Sequence, residues 1–354
     1  MKKRVGAFQI ASAYIGVTIG AGFASGQEVL QFFTFFGPNA ILAIILASML
    51  FVFFGAVILD LGRRLNAKSH LEVLRHSGGK HLSILADAVT TFFLFGSFAA
   101  MTAGTAAVFA QQFGFPTVWG SVAMVAVSAA TVVLGLRALV SALSFVVPLL
   151  LVVVVGVVAL TLAANPVTAA GLLAANQPWN APVPNWALSA VTYVSYNIVI
   201  AVAVLAPLGA LAARGRALNQ GALAGGIGLG VGMLAINLAI VAVPQAGALP
   251  IPMAFVAAII SPFFGFIYSF ALLAAIYTTA VGALYGFAAR LAPAESTRFR
   301  ITAILAGSAA LFASQLGFQS LVRYLYSAVG IVGIVLLVGL TYTFVRERYR
   351  ELLP

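Results

Sequence analysis

Ten apolar runs, separated by short polar connections, take up almost all of this 354-residue chain. They cover residues 7–36, 39–61, 82–112, 118–136, 142–163, 186–208, 218–243, 253–291, 299–314 and 321–345. A helix crosses a bilayer in about 17 to 25 residues, and inside hydrocarbon only helices and closed barrels satisfy their own backbone. The runs therefore predict an all-α integral membrane protein with ten transmembrane helices in one domain, 1–354. Only 7% of the residues are charged, against about 25% in soluble domains. The ninth run is short. The third is long enough to require tilt. The eighth exceeds one span, and Ser261-Pro262 is expected to separate a short outer helix from the spanning part.

The formal charge of +11 follows from topology and is not a nucleic-acid footprint. With the N-terminus in the cytoplasm, every Lys and Arg except Arg323 falls in an inside loop or at an inside helix end. These are Lys2, Lys3, Arg4, Arg63, Arg64, Lys68, Arg75, Lys80, Arg137, Arg214, Arg216, Arg290, Arg298, Arg300, Arg346, Arg348 and Arg350. That asymmetry sets the orientation, with both termini cytoplasmic. Lys2-Lys3-Arg4 before an apolar run looks like a signal peptide, but the run continues past the only weak cleavage site and carries Gln9, Tyr14 and Thr18. There is no cysteine, which removes disulfides and thiolate metal sites. His70, His76 and His81 share one polar loop. No nucleophile–base pair lies at membrane depth, so an enzyme is not expected, nor a cofactor.

The first run contains the most unusual stretch: Gly16-Val17-Thr18-Ile19-Gly20-Ala21-Gly22-Phe23-Ala24-Ser25-Gly26-Gln27-Glu28. Each glycine weakens a helix interior by about 1 kcal/mol relative to alanine. Gly20-Ala21-Gly22 is expected to interrupt the helix, which lipid tolerates only where the freed groups line a protein or water-filled cavity. Close packing of small residues is the other reading. Glu28 favours a functional one, because carboxylates near the membrane interior are rare and costly. Ten helices divide as five plus five, and an odd number per half inverts the second half. This predicts repeats near 7–163 and 186–345, with helix six matching helix one. Helix six carries the polar cluster Tyr193-Val194-Ser195-Tyr196-Asn197 and is expected to be discontinuous too, although it holds no glycine.

The glycine motif, followed by Gln31-Phe32-Phe33 and Gly37, together with Tyr193 to Asn197 and Pro207, resembles the bacterial YkvI family of membrane proteins along essentially the whole chain. That family is grouped with the amino acid–polyamine–organocation superfamily. The resemblance implies the five-plus-five fold of the bacterial leucine transporter and a cytoplasmic (inner) membrane location. It also implies a Na⁺ site of helix-one carbonyls and helix-eight hydroxyls: Gly16, Ile19, Ala275, Thr278 and Thr279. The alternative is that both threonines bond their own helix. Phe23 stands where a second sodium site needs asparagine. Residues 142–163 lack the lysine of some proton-coupled relatives, and Glu28 remains able to carry a proton.

The functional expectation is a secondary transporter for an amino acid or related small amine, working by alternating access. Ala21, Gly22 and Phe23 would receive a substrate carboxylate on free N–H groups, and Ser195, Tyr196 and Asn197 would add polar contacts. Glu28 and Arg323 are expected to pair as an outer gate between helices one and ten; the alternative is that Arg323 snorkels to the surface. A channel, a non-transporting receptor on the same fold and a proton-coupled permease are the rivals. The partners are a small solute and the lipid bilayer.

Overall fold

The computed structural model describes residues 5–134, 137–212, 215–294 and 296–352. Lys2, Lys3, Arg4 and Arg214 of the charge pattern, and the last two residues of the fourth run, lie outside them. The described residues form helices joined by short loops, with two isolated β-bridges, Val5 to Ala212 and Phe36 to Asn176.

The first run is divided into α1 (Ala7–Thr18), α2 (Ala21–Ala24) and α3 (Gln27–Val29), extended by a π-turn over Leu30–Thr34. Runs two to five become α4 (Asn39–Arg64), α5 (His70–Phe113), α6 (Thr117–Leu134) and α7 (Arg137–Ala164). A kink at Gly78–Gly79 separates the polar start of α5 from its spanning part, which explains why the apolar run begins only at Leu82. A short α8 (Ala169–Ala174) precedes α9 (Trp186–Ala210) and α10 (Gly215–Ala242). The eighth run divides where expected, into α11 (Pro252–Ile260) and α12 (Pro262–Leu291), and Ser261 Oγ caps the second by accepting from Phe264 N at 3.2 Å. The ninth is α13 (Thr297–Ala313). The tenth comprises α14 (Phe318–Leu321), a π-turn over Val322–Tyr326 and α15 (Ser327–Leu352). Among the described residues, 8 helices are long and apolar enough to cross a membrane by themselves. The interrupted first run and the 28-residue α7 supply the other two crossings.

One expectation fails. α9 runs without interruption from Trp186 to Ala210, so helix six is not discontinuous. Most of its polar cluster finds partners without a break: Asn197 Nδ2 donates to Tyr193 O at 3.0 Å, and the tyrosines bond across to helix one, while Ser195 Oγ stays unpaired. With no glycine between Trp186 and Leu208, nothing offsets the cost of opening the backbone in lipid.

In lipid, apolar surface alone does not bring helices together; close packing and hydrogen bonds do. The α4–α9 crossing shows this. A Cβ on Gly62 would overlap Ala206 O, and one on Gly209 would overlap Leu59 O, so each helix needs the other's glycine. At the end joined by the basic loops, ion pairs form within α4 and between helices. Asp60 holds Arg63 at 2.7 Å and Arg64 at 2.6 Å, and Glu347 of α15 meets Arg64 at 3.7 Å and His76 of α5 at 2.6 Å. Arg290 of α12 pairs with Asp87 of α5. Asp60 and Asp87 are therefore partly exposed members of ion pairs, not ligands at membrane depth.

Gly62→Val or Gly209→Val should lower the melting temperature of the detergent-purified protein by several degrees, since overpacking costs about 1–3 kcal/mol. Gly282→Ala, where an added Cβ meets nothing within 4 Å, should leave it unchanged.

Candidate functional site

Two departures from helical geometry shape the first run. At Ile19–Gly20 the chain is extended, with ψ 97° at Ile19 and φ −104°, ψ −173° at Gly20. At Gly26 it turns left-handed, φ 82°. The main interruption thus falls just ahead of the expected centre, and Ala21 and Gly22 are already helical. Among the described residues, the carbonyls of Gly16, Val17, Thr18 and Ile19 accept no backbone N–H. The buried Thr18 Oγ1 has no partner either.

Groups freed near the second departure are taken up by neighbours. Tyr268 of α12 donates its hydroxyl to Ala24 O, Met253 N of α11 donates to Ser25 O at 3.0 Å, and Ser25 Oγ donates to Gly22 O at 2.7 Å. Farther along, Ser189 Oγ of α9 reaches Phe32 O at 2.8 Å. Buried tyrosine and serine hydroxyls need acceptors, and an opened backbone needs donors.

Six residues apart on a regular helix lie about 9 Å apart along the axis and on different faces. The turn at Gly26 removes that separation and folds Glu28 back over Gly22. A Cβ on Gly22 would overlap Glu28 Oε1 and lie 2.9 Å from its Cδ. Oε2 accepts from Tyr196 Oη and, at 3.5 Å, from Tyr193 Oη. The two tyrosines in turn pack against other rings. Phe32 lies 5.4 Å from Tyr193 and 5.9 Å from Tyr196, while Phe93 and Tyr326 lie 6.0 and 5.2 Å from Tyr196. Glu28 is the one charged residue among the described buried side chains, and no basic side chain pairs with it.

The other expected contacts are dispersed. Ala21 is buried. The Phe23 ring packs toward α10, where a Cβ on Gly232 would meet it at 3.1 Å. Ser195 Oγ faces Gly333 of α15 and has no hydrogen-bond partner, and Asn197 bonds its own helix. Only Gly22 and Tyr196 meet, through Glu28.

In the proposed sodium set, Thr278 Oγ1 and Thr279 Oγ1 each donate to Ala275 O at 2.9 Å. Their lone pairs remain available, as do the Gly16 and Ile19 carbonyls. The donor set suits a hard cation, although Ala275 O already accepts two hydrogens.

The Glu28–Arg323 gate is not formed. Glu28 is held by the tyrosines, while Arg323 Nη2 donates to Trp179 O at 3.0 Å and lies over the Tyr324 ring at 5.7 Å. A different contact joins helices one and ten: Gln31 Nε2 donates to Gln319 O at 2.9 Å. Nearby, the Gln111 amide of α5 pairs with the main chain of Ile251, donating to its carbonyl at 2.9 Å and accepting from its N–H at 3.0 Å. The sequence reading missed Gln31, Gln111, Tyr193 and Tyr268 as site residues. Their one signal is a polar terminus inside or beside an apolar run.

Gly22→Ala should displace the Glu28 carboxyl and lower the melting temperature by several degrees. Gly20→Ala should not, because its Cβ enters open space at an ordinary φ. Equal effects of the two changes in a thermal unfolding series would contradict this geometry.

No family model matches the chain. It is 31% identical over 343 residues to the uncharacterized protein YyaD of Bacillus subtilis (strain 168), covering 92% of this chain and 93% of the relative. It is 29% identical over 331 residues to the uncharacterized membrane protein YkvI of the same organism, covering 93% of each. Among solved structures it is similar to MhsT in complex with L-phenylalanine, with TM-score 0.63 and 16% identity over 95% of this chain and 89% of that one. It is also similar to a substrate-bound, outward-open Na⁺-coupled sialic acid symporter, with TM-score 0.57 and 14% identity over 95% and 75%. Inward-facing Mhp1 matches with TM-score 0.53 and 17% identity over 88% and 70%. These identities speak for fold, that of the leucine transporter. The chain belongs to the family of multi-pass membrane proteins that includes YyaD and YkvI.

Proposed function

We propose that the protein is a secondary transporter that moves a small amine or amino acid across the bacterial cytoplasmic membrane by alternating access, coupled to Na⁺. One observation carries the reading: a main-chain break at membrane depth that leaves four carbonyls unpaired and lies beside a buried, cation-free carboxylate. In lipid such groups are costly unless a ligand or ion uses them. The fold supports the reading, since MhsT binds L-phenylalanine and the sialic acid symporter is Na⁺-coupled. The two inverted halves are 7–163 and 186–345. The Gly16 and Ile19 carbonyls, with Ala275, Thr278 and Thr279, would hold the sodium ion. Glu28 favours a second reading, proton coupling, because a carboxylate without a basic partner can take its cation as a proton.

On the side opposite the basic loops, Gln31–Gln319 and Gln111–Ile251 join neighbouring elements, and these are the contacts that opening there would break. In alternating access, then, the gate is a set of neutral amide bonds.

The test is uptake and counterflow of radiolabelled amines and amino acids in proteoliposomes, under imposed sodium or proton gradients. Thr278→Ala and Thr279→Ala should each raise the sodium concentration for half-maximal uptake by about tenfold, a loss of about 1.4 kcal/mol. Unchanged sodium dependence in the double variant rejects that site, and uptake driven by a proton gradient alone selects the second reading. Gln111→Ala should increase the reaction of a single cysteine introduced at Phe23 with a membrane-impermeant thiol reagent applied from outside. Unaltered labelling removes Gln111 from the gate.

A further inference from the structure

The Glu28 carboxyl occupies the place over Gly22 where the substrate carboxylate was expected to bind. Oε1 fills the volume that any side chain on Gly22 would take, and Oε2 holds the hydroxyls of Tyr193 and Tyr196. The space over Gly22 that a substrate carboxylate would take, and the two tyrosine hydroxyls beside it, are thus already used by the protein's own carboxyl. A second acid group brought there would face a like charge at close range in a medium that screens it poorly. What the locality lacks is positive charge. Among the described residues, no Lys, Arg or His pairs with Glu28. Along the adjoining break the Gly16, Val17, Thr18 and Ile19 carbonyls and Thr18 Oγ1 are unpaired, facing the break from one side, while the N–H groups of Gly20 to Phe23 on the other side lie beside the Glu28 carboxyl over Gly22. The two tyrosines that hold the carboxyl pack in turn against Phe32, Phe93 and Tyr326, an aromatic cluster whose ring faces attract an organic cation and repel an anion.

We infer that Glu28 is an internal stand-in for a substrate carboxylate, and that the site therefore selects organic monocations that carry an amine and no acid group. This rests on the transporter reading and narrows its substrate class from amino acids and amines to amines alone. The amine neutralises Glu28 on binding, so the carboxylate that is costly when buried alone becomes half of a pair. Gly22 is the companion determinant, because any larger residue there displaces the carboxyl.

The experiment compares matched pairs that differ only by the acid group: phenethylamine with phenylalanine, tyramine with tyrosine, and isoamylamine with leucine. Binding is read by thermal shift and by isothermal titration on the full-length purified protein. The wild type should bind at least one amine about tenfold or more tighter than its amino acid. Glu28→Gln, which keeps the size and hydrogen-bonding reach, should weaken that amine by about thirtyfold or more. Glu28→Ala, which vacates the place over Gly22, should shift the ratio toward the amino acid. Circular dichroism and size-exclusion profiles identify a variant that has merely misfolded, and Glu28→Asp should retain part of the amine preference. A wild type that prefers the amino acid of each pair, or binds neither member of any pair, overturns the inference. So does amine affinity that Glu28→Gln leaves unchanged. If the amines bind as expected but proteoliposomes show neither uptake nor counterflow, the inference stands and the transport reading fails.

Discussion

A main chain that leaves helical geometry inside a bilayer must find a partner for every N–H and C=O it frees, and this requirement organises the structure. The first run departs from helix twice. At the second departure the neighbours were recruited to close the account: a tyrosine from α12, a backbone amide from α11 and a serine from within the run. At the first, no protein group answers four successive carbonyls among the described residues.

The left-handed turn at Gly26 ties these two regions together. It costs little at glycine and would strain any other residue. An added Cβ would also lie 2.8 Å from the Met253 side chain. Because of this one dihedral, a glutamate that a helical wheel would place on another face ends up against Gly22, within reach of two tyrosines on α9. Those tyrosines are themselves packed against Phe32, Phe93 and Tyr326.

Much of the fold could be read from the chain, and for physical reasons. The apolar runs translate directly into spans because lipid leaves no other solution, and Ser261-Pro262 divides α11 from α12 because proline ends one helix and serine caps the next. The glycines of 16–28 announced an interrupted helix. What could not be read is direction. Helical periodicity assigns Glu28 a face only while the helix stays regular, so the turn at Gly26 put its partner out of reach of any pattern. Arg323 invited an ionic partner, yet it bonds a loop carbonyl at Trp179, which no side-chain pattern encodes. The expected break in helix six leaned on repeat symmetry against the plain absence of glycine there, and the local signal was the better guide. The glutamine contacts carry no charge, so nothing in the charge distribution pointed to them.

The two ends of the molecule are fastened by different chemistry. Toward the basic loops the fastenings between helices are charged and partly exposed, Glu347 of α15 with Arg64 of α4 and Arg290 of α12 with Asp87 of α5. At the opposite end they are amides bonded to backbone, led by Gln111 on Ile251 and Gln31 on Gln319. Dissolved ions screen the first kind and leave the second almost untouched. Ionic strength on the side of the basic loops is therefore a one-sided handle on this molecule: raising it loosens that end while the far end keeps its grip.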